Sequence, residues 1–180
     1  LSTPADFQQR QREELHWAAH QAGLDPFLMI NEPTAAFFGM GGIKQGDGLI
    51  LVIDAGGGTT DVSLIEKQGA SASVKNTLGN QHLGGQDLDT RIIELLVGRF
   101  EKQCKVKLTD KQHPEVFADL RQRAEGIKIS LGVRESVPVM ISAEGKVMSG
   151  TLTRQEVDEA TKDITEGMVE LGARLLKDSG

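Results

Sequence analysis

The stretch LILVIDAGGGTTDVSLIE, Leu49 to Glu66, decides how the chain is read. Leu49 to Ile53 form an unbroken apolar run, the pattern of a short buried strand, and they lead straight into Asp54. Gly56, Gly57 and Gly58 follow. Lacking Cβ atoms and free to take positive φ, they let successive amides turn inward and let an anion approach the backbone. Asp61 to Glu66 reads as a strand again, so the loop joins two strands instead of opening a helix, and neither GxxxxGK[ST] nor GxGxxG is present. The sharper reading is a phosphate-binding β-hairpin with Thr59 and Thr60 as hydroxyl donors. Asp54 and Asp61 would hold waters on a hard cation such as Mg²⁺, which takes one or two carboxylates beside phosphate oxygens. The plainer reading is a hairpin with a loose glycine turn. Three glycines ringed by two threonines and two aspartates fit it poorly.

A length of 180 residues with 38% hydrophobic side chains predicts one soluble globular domain, or a little more, with a real core. The net charge of -6, without a long basic run, argues against nucleic acid and against anionic membrane surfaces as partners. No apolar stretch approaches the length of a membrane span, and no signal peptide is visible. The lone Cys104 excludes an internal disulfide framework and suits a reducing, cytoplasmic location. Because the chain begins at Leu1, we expect an excised piece of a longer protein.

Along the chain, Thr3 and Pro4 read as the cap and first residue of a helix from about Pro4 to Ala22, carrying Phe7, Leu15, Trp17, Ala18 and Ala19. Pro26 opens an extended FLMI segment, and a short helix starts near Thr34. The glycine-rich GMGGIKQGDG is a connector and the expected lobe boundary. Alternation at Ala72, Val74 and Asn76 predicts a third antiparallel strand. A helix from about Gln86 has the stripe Leu88, Ile92, Leu95, Leu96 and Phe100, and another runs from about Pro114 to Leu131. Strands follow at Val137–Ser142 and Lys146–Leu152. Thr153 with Glu156 is a capping box for one last helix with the stripe Val157, Ile164, Met168, Leu171 and Leu175.

Three motifs in order, NEPTAA (Asn31–Ala36), DAGGGTTDVSL (Asp54–Leu64) and HLGGQDLD (His82–Asp89), resemble the nucleotide-binding domain of the seventy-kilodalton heat-shock chaperones of the DnaK type. The resemblance runs across all 180 residues. It implies an α/β actin-like (ribonuclease H-like) ATPase fold, a mixed sheet with flanking helices, mostly the second of two lobes. Residues 1–44 would end the first lobe, and 48–180 would form most of the second, including its smaller helical and β subdomain, with the domain incomplete at both ends. The fragment alone would be inactive, and the full-length parent an ATPase.

The resemblance also implies roles. Gly56, Gly57, Gly58 and Thr59 would meet the β and γ phosphates of ATP or ADP. Asp54 would contact Mg²⁺ through water, Asp61 would stand near the attacking water, and Glu32 would help place metal and water. Gly84 and Gly85 would approach ribose and phosphates, although by residue type alone they are a glycine pair at a helix start. Glu125 and Lys128 match the pair near ribose and adenine, although their i, i+3 spacing alone fits a solvated ion pair. The sequence departs from the family at Ile129, where an arginine is usual, at Gly132, where a serine is usual, and at Gln86, where a glutamate is usual. The implied partners are unfolded polypeptides bound by a further domain, a J-domain cochaperone and a nucleotide-exchange factor, in protein folding and the stress response. Alternatives on the same fold are an exchange or holding protein with ATP as a structural ligand, and an actin-like filament protein. His16 and His20 have zinc-ligand spacing but no third ligand, Cys104 has no adjacent base, and His82 reads as structural.

Overall fold

The computed structural model describes residues 1–5, 7–25, 28–80 and 82–180, and of Ile43 the backbone alone. The chain divides into two units, Leu1–Gln81 with Met168–Gly180, and His82–Gly167. The expected boundary at residues 44–48 falls within the first unit.

In the first unit, β1 (Ser2–Thr3) pairs in parallel with β2 (Ile30–Asn31), and α1 (Gln9–Gln21) lies between them in sequence. The helix expected from Pro4 therefore starts later, and Arg12 gives the reason. Its guanidinium donates to Thr3 Oγ1 at 2.7 Å, to the carbonyls of Phe7 at 3.0 Å and Pro4 at 3.2 Å, and to Asn31 Oδ1 at 2.7 Å. Thr3 thus serves as an acceptor for Arg12 and does not cap a helix. Gln8 caps α1 instead, with its amide donating to Gln11 Oε1 at 2.8 Å. Trp17 stays 65% exposed, and Ala19 is the buried residue of α1. Of the expected FLMI segment, Pro26 and Phe27 lie outside the described residues, and Ile30 enters β2. α2 (Glu32–Gly39) begins before Thr34, since Pro33 is compatible with a first turn.

β3 (Gly48–Ala55), β4 (Thr60–Gln68) and β5 (Ser71–Asn80) form an antiparallel meander in that order. Central β4 buries Val62, Leu64 and Ile65. The apolar run of β3 is less covered than its composition predicts: it is an edge of this sheet, and Leu49 and Ile53 remain exposed. Lys67 is buried and reaches Asp47 Oδ1 at 3.2 Å. The Gly69 amide, at 2.8 Å, and then Lys67 hold the Asp47 carboxyl below its usual range.

The second unit contains α3 (Gly85–Cys104), α4 (Pro114–Val133), β6 (Ser136–Ala143), β7 (Lys146–Thr153) and α5 (Arg154–Ala160). β6 alternates strictly, with Val137, Val139, Ile141 and Ala143 inward. They share one core with Ile92, Leu96 and Phe100 of α3 and with Ala124 and Ile127 of α4. Each of the larger of these side chains, the valines, isoleucines, leucine and phenylalanine, contributes about 1.5–3 kcal/mol when fully buried. Thr153 and Glu156 form the expected capping box: the Thr153 amide donates to Glu156 Oε2 at 2.9 Å, and the Glu156 amide to Thr153 Oγ1 at 3.3 Å. The Thr153 amide and the Thr153 hydroxyl, which also donates to Glu156 Oε2 at 2.7 Å, and then Arg99 pull the Glu156 carboxyl from 4.5 down to about 2.

The single last helix expected from the stripe is two, α5 and α6 (Lys162–Asp178). Thr161 separates them at φ -109°, ψ 8°, with its hydroxyl donating back to the Val157 carbonyl at 2.8 Å. A β-branched hydroxyl bonded to the preceding turn competes with helix continuation. The stripe survives the break, with Val157, Ile164, Leu171 and Leu175 all buried.

Candidate functional site

The register of β3 and β4 sets Asp54 directly opposite Asp61 and Ala55 opposite Thr60, leaving residues 56–59 as the loop. Directly opposed residues share a face, with Cβ atoms about 4.5–5.5 Å apart. Two carboxylates of like charge therefore meet at the mouth of the hairpin. Like charges directly opposite one another are destabilising, and a cation held through its waters would offset them. The donor set, oxygen only, suits a hard cation such as Mg²⁺. Among the described residues no three His, Cys, Asp or Glu side chains converge as a direct metal cage, so a cation at this mouth keeps several other oxygen ligands.

The loop is closed by the Gly56 amide, which donates to the Thr59 carbonyl at 2.8 Å. Gly56, Gly57 and Thr59 are exposed, and Gly58 is half-buried. None of the three glycines is among the described residues with positive φ, so left-handed backbone is not what they supply here. Their contribution is the missing side chains, which leave the loop backbone open to an anion.

Thr60 corrects the sequence reading. It is 0% exposed and, one residue before Asp61 in a strand, points to the opposite face from the carboxylates. Thr59 is exposed at the loop, whereas the Thr60 hydroxyl is buried on the other face. Asp61 is half-buried, with Oδ1 seated over Gly79 of β5, its partner in the register. Glu32 is the first residue of α2, half-buried at the positive end of a helix dipole. The residue before it, Asn31, is tied to Arg12. Arg12 thus braces the NEPTAA segment, a role with no motif to announce it.

In the second unit Gly84 is buried and fully extended, with φ -166°. Its amide donates to Asp87 Oδ2 at 2.8 Å, which satisfies a free donor at the start of α3. Lys128 does not pair with Glu125. It donates to the Gly85 carbonyl at 3.0 Å and lies 2.8 Å from Asp89 Oδ1. That oxygen is cut off from solvent, and the lysine is its ionic partner outside aligned hydrogen-bond geometry. Lys128 therefore fastens α4 to the start of α3. Glu125 is exposed, as is Ile129 one turn on, at 65%. A cavity of about 280 Å³ opens beside Lys128, with Gly132, Arg154, Asp158 and Thr161 in its wall.

The structure thus brings together Asp54, Asp61 and the loop of residues 56–59 in the first unit, where Glu32 also lies. Gly84, Gly85 and Lys128 gather in the second, with Glu125 a turn away on α4. His16 and His20 are both exposed on α1, and Cys104 is buried at the end of α3. Among the described residues, no helix is long and apolar enough to cross a membrane.

Compared with families of known proteins, residues 1–180 match the family described as Hsp70 protein, and the chain belongs to that family. It is a family of chaperone ATPases with an actin-like fold, and the mixed α/β elements of this chain agree with that fold.

Proposed function

We propose that this chain is part of the ATP-binding and hydrolysing domain of a DnaK-type chaperone, in which nucleotide state controls binding of unfolded polypeptide. The observation that carries the reading is the opposed pair Asp54 and Asp61 across the open Gly56–Gly57–Gly58–Thr59 loop, in a chain of the Hsp70 family. Residues 1–44 are assigned to the end of the first lobe and 48–180 to most of the second.

In this reading, the loop amides and the Thr59 hydroxyl bind the β and γ phosphates, and Asp54 holds Mg²⁺ through water. Asp61 orients the attacking water, and Glu32 helps place metal and water. Gly84 and Gly85 lie along ribose and phosphates, and Glu125 and Lys128 along ribose and adenine. Mg²⁺ with ATP supplies the transferable phosphoryl group and neutralises its charge. The chain's own task is positioning, which is most of what phosphoryl transfer asks of a protein. Control of polypeptide affinity requires that ATP and ADP bind two conformations differently. The partners are unfolded polypeptides, a J-domain cochaperone and an exchange factor, in the cytoplasm.

The test is steady-state ATP hydrolysis by the full-length protein, with and without saturating unfolded peptide and a J-domain. Stimulated turnover supports the chaperone cycle. Tight ATP binding without stimulated turnover supports a second reading, an exchange or holding protein in which ATP is structural. That reading draws on Ile129, an exposed aliphatic side chain on the face of α4 that carries Glu125.

A further inference from the structure

Gly79 lies in β5 opposite Asp61, on the face that carries the two carboxylates. A Cβ added there would fall onto Asp61 Oδ1, closer than real atoms approach. Its next neighbours would be Asp61 Cγ at 3.5 Å and the Thr60 carbonyl oxygen at 3.9 Å. The backbone does not require glycine, because Gly79 is not among the described residues with positive φ. Nor is it packed under other side chains, since it is exposed. Glycine inside a strand weakens it and often marks a close approach. Here the group that approaches is the Asp61 carboxylate.

Asp61 has Asp54 beside it on β3 and the gap at Gly79 beside it on β5. Its oxygen leans into the gap, away from the like charge. We propose that Gly79 is a positioning residue for hydrolysis, because its missing side chain is the seat that sets the direction of the Asp61 carboxylate. The proposal rests on the reading in which Asp61 acts at the attacking water. A methyl at position 79 displaces the carboxylate from that direction and turns it back toward Asp54. Such a displacement disturbs a transition-state geometry more than it disturbs binding of phosphates held by the loop.

The experiment is a double-mutant cycle on the full-length protein with Gly79→Ala, Asp61→Ala and the pair. Tm is read in chelator without nucleotide, and kcat and the Kd for Mg·ATP are measured on the Gly79→Ala protein. We expect kcat to fall by about tenfold or more while Kd stays within about threefold. In the Asp61→Ala background, Gly79→Ala raises Tm by about 2 °C, the ordinary gain of alanine over glycine in a strand. With Asp61 present that gain is absent or reversed. Equal Tm shifts in both backgrounds, or an unchanged kcat, overturn the proposal. A wild-type protein with no ATP turnover overturns the functional reading itself and the hydrolytic role with it, whereas the Tm cycle still decides whether Gly79 seats Asp61.

Discussion

The β6–β7 and β3–β4 hairpins are of similar length, yet they use their turns in opposite ways. Between β6 and β7, Glu144 and Gly145 take φ 51° and 67°, the pair of left-handed residues that a tight two-residue turn needs to match strand twist. Glu144, an unusual residue for that backbone, has its carboxylate 3.1 Å from His113 Nε2. The charged side chain at that turn has a hydrogen-bonding partner within its own unit. Between β3 and β4 a longer loop has three glycines and no described positive φ, and a carboxylate faces a carboxylate at its mouth. Like charges set directly opposite one another on a sheet face work against that pairing. A local rule broken without a structural gain marks a site built for something outside the chain.

The contrast predicts that changes in the first hairpin alter ligand affinity and that changes in the second alter stability. The largest effect is expected from Gly57→Asp, which sets a negative side chain where phosphate oxygens would lie. At an effective dielectric near 20 the repulsion is about 4 kcal/mol, or a loss of roughly a thousandfold in ATP affinity. Because Gly57 is exposed, stability without ligand should change by less than about 0.5 kcal/mol. Calorimetric titration beside urea unfolding reads both quantities, and an unchanged affinity would sink the phosphate assignment.

Leu152→Ala is the mirror image. Leu152 is completely buried in β7, and its truncation should lower stability by about 3 kcal/mol, as cavity-forming changes do. ATP affinity, measured where the variant is still folded, should be unchanged. A parallel loss of affinity would break the contrast, because the second hairpin would then be energetically coupled to the site.

A smaller effect belongs to Glu156, whose capping bonds close the end of β7 onto α5. Glu156→Ala should cost about 1 kcal/mol at neutral pH. The carboxyl is depressed from 4.5 to about 2, so its stabilisation is complete above about pH 4.5 and fades as pH falls through about 2. The gap between wild type and variant in urea midpoint should close over that window. A gap constant down to pH 2 would assign the stabilisation to packing and remove the charge from the account.

What the sequence made legible follows from periodicity and proximity. α3, α4, β6 and β7 were readable because their buried faces repeat at helical or strand spacing, as at Ile92, Leu96 and Phe100 or Val137, Val139 and Ile141. The phosphate-type loop was readable because its glycines and aspartates are contiguous. Features that depend on long-range partners were not. Thr3 had the chemistry of a cap, but Arg12 captured its hydroxyl. Lys128 sat at ion-pair spacing from Glu125 but found Asp89, on another helix. Thr60 differed from Thr59 only by strand parity, which the exact start of β4 decides. Gly79 did carry a signal, a glycine within an alternating strand, whose meaning appears only once the register sets Asp61 opposite it.

The smallest predicted effect is the most discriminating, because its sign reverses with conditions. Asp54→Asn removes one charge of the opposed pair while nearly preserving its shape, so without divalent cation the variant should be more stable than wild type by about 0.5 kcal/mol. With Mg·ATP present the order should invert, since the carboxylate then holds the hydration shell of the cation and ligand binding stabilises wild type more. Urea midpoints in chelator and in excess Mg·ATP show both signs. A variant less stable in both media would make Asp54 an ordinary structural carboxylate, and the two hairpins would no longer differ in kind. A variant more stable in chelator and weaker in ligand shows instead that the first hairpin gives up stability to keep a negative mouth, whereas the turn of the second carries a single carboxylate, within hydrogen-bonding distance of His113.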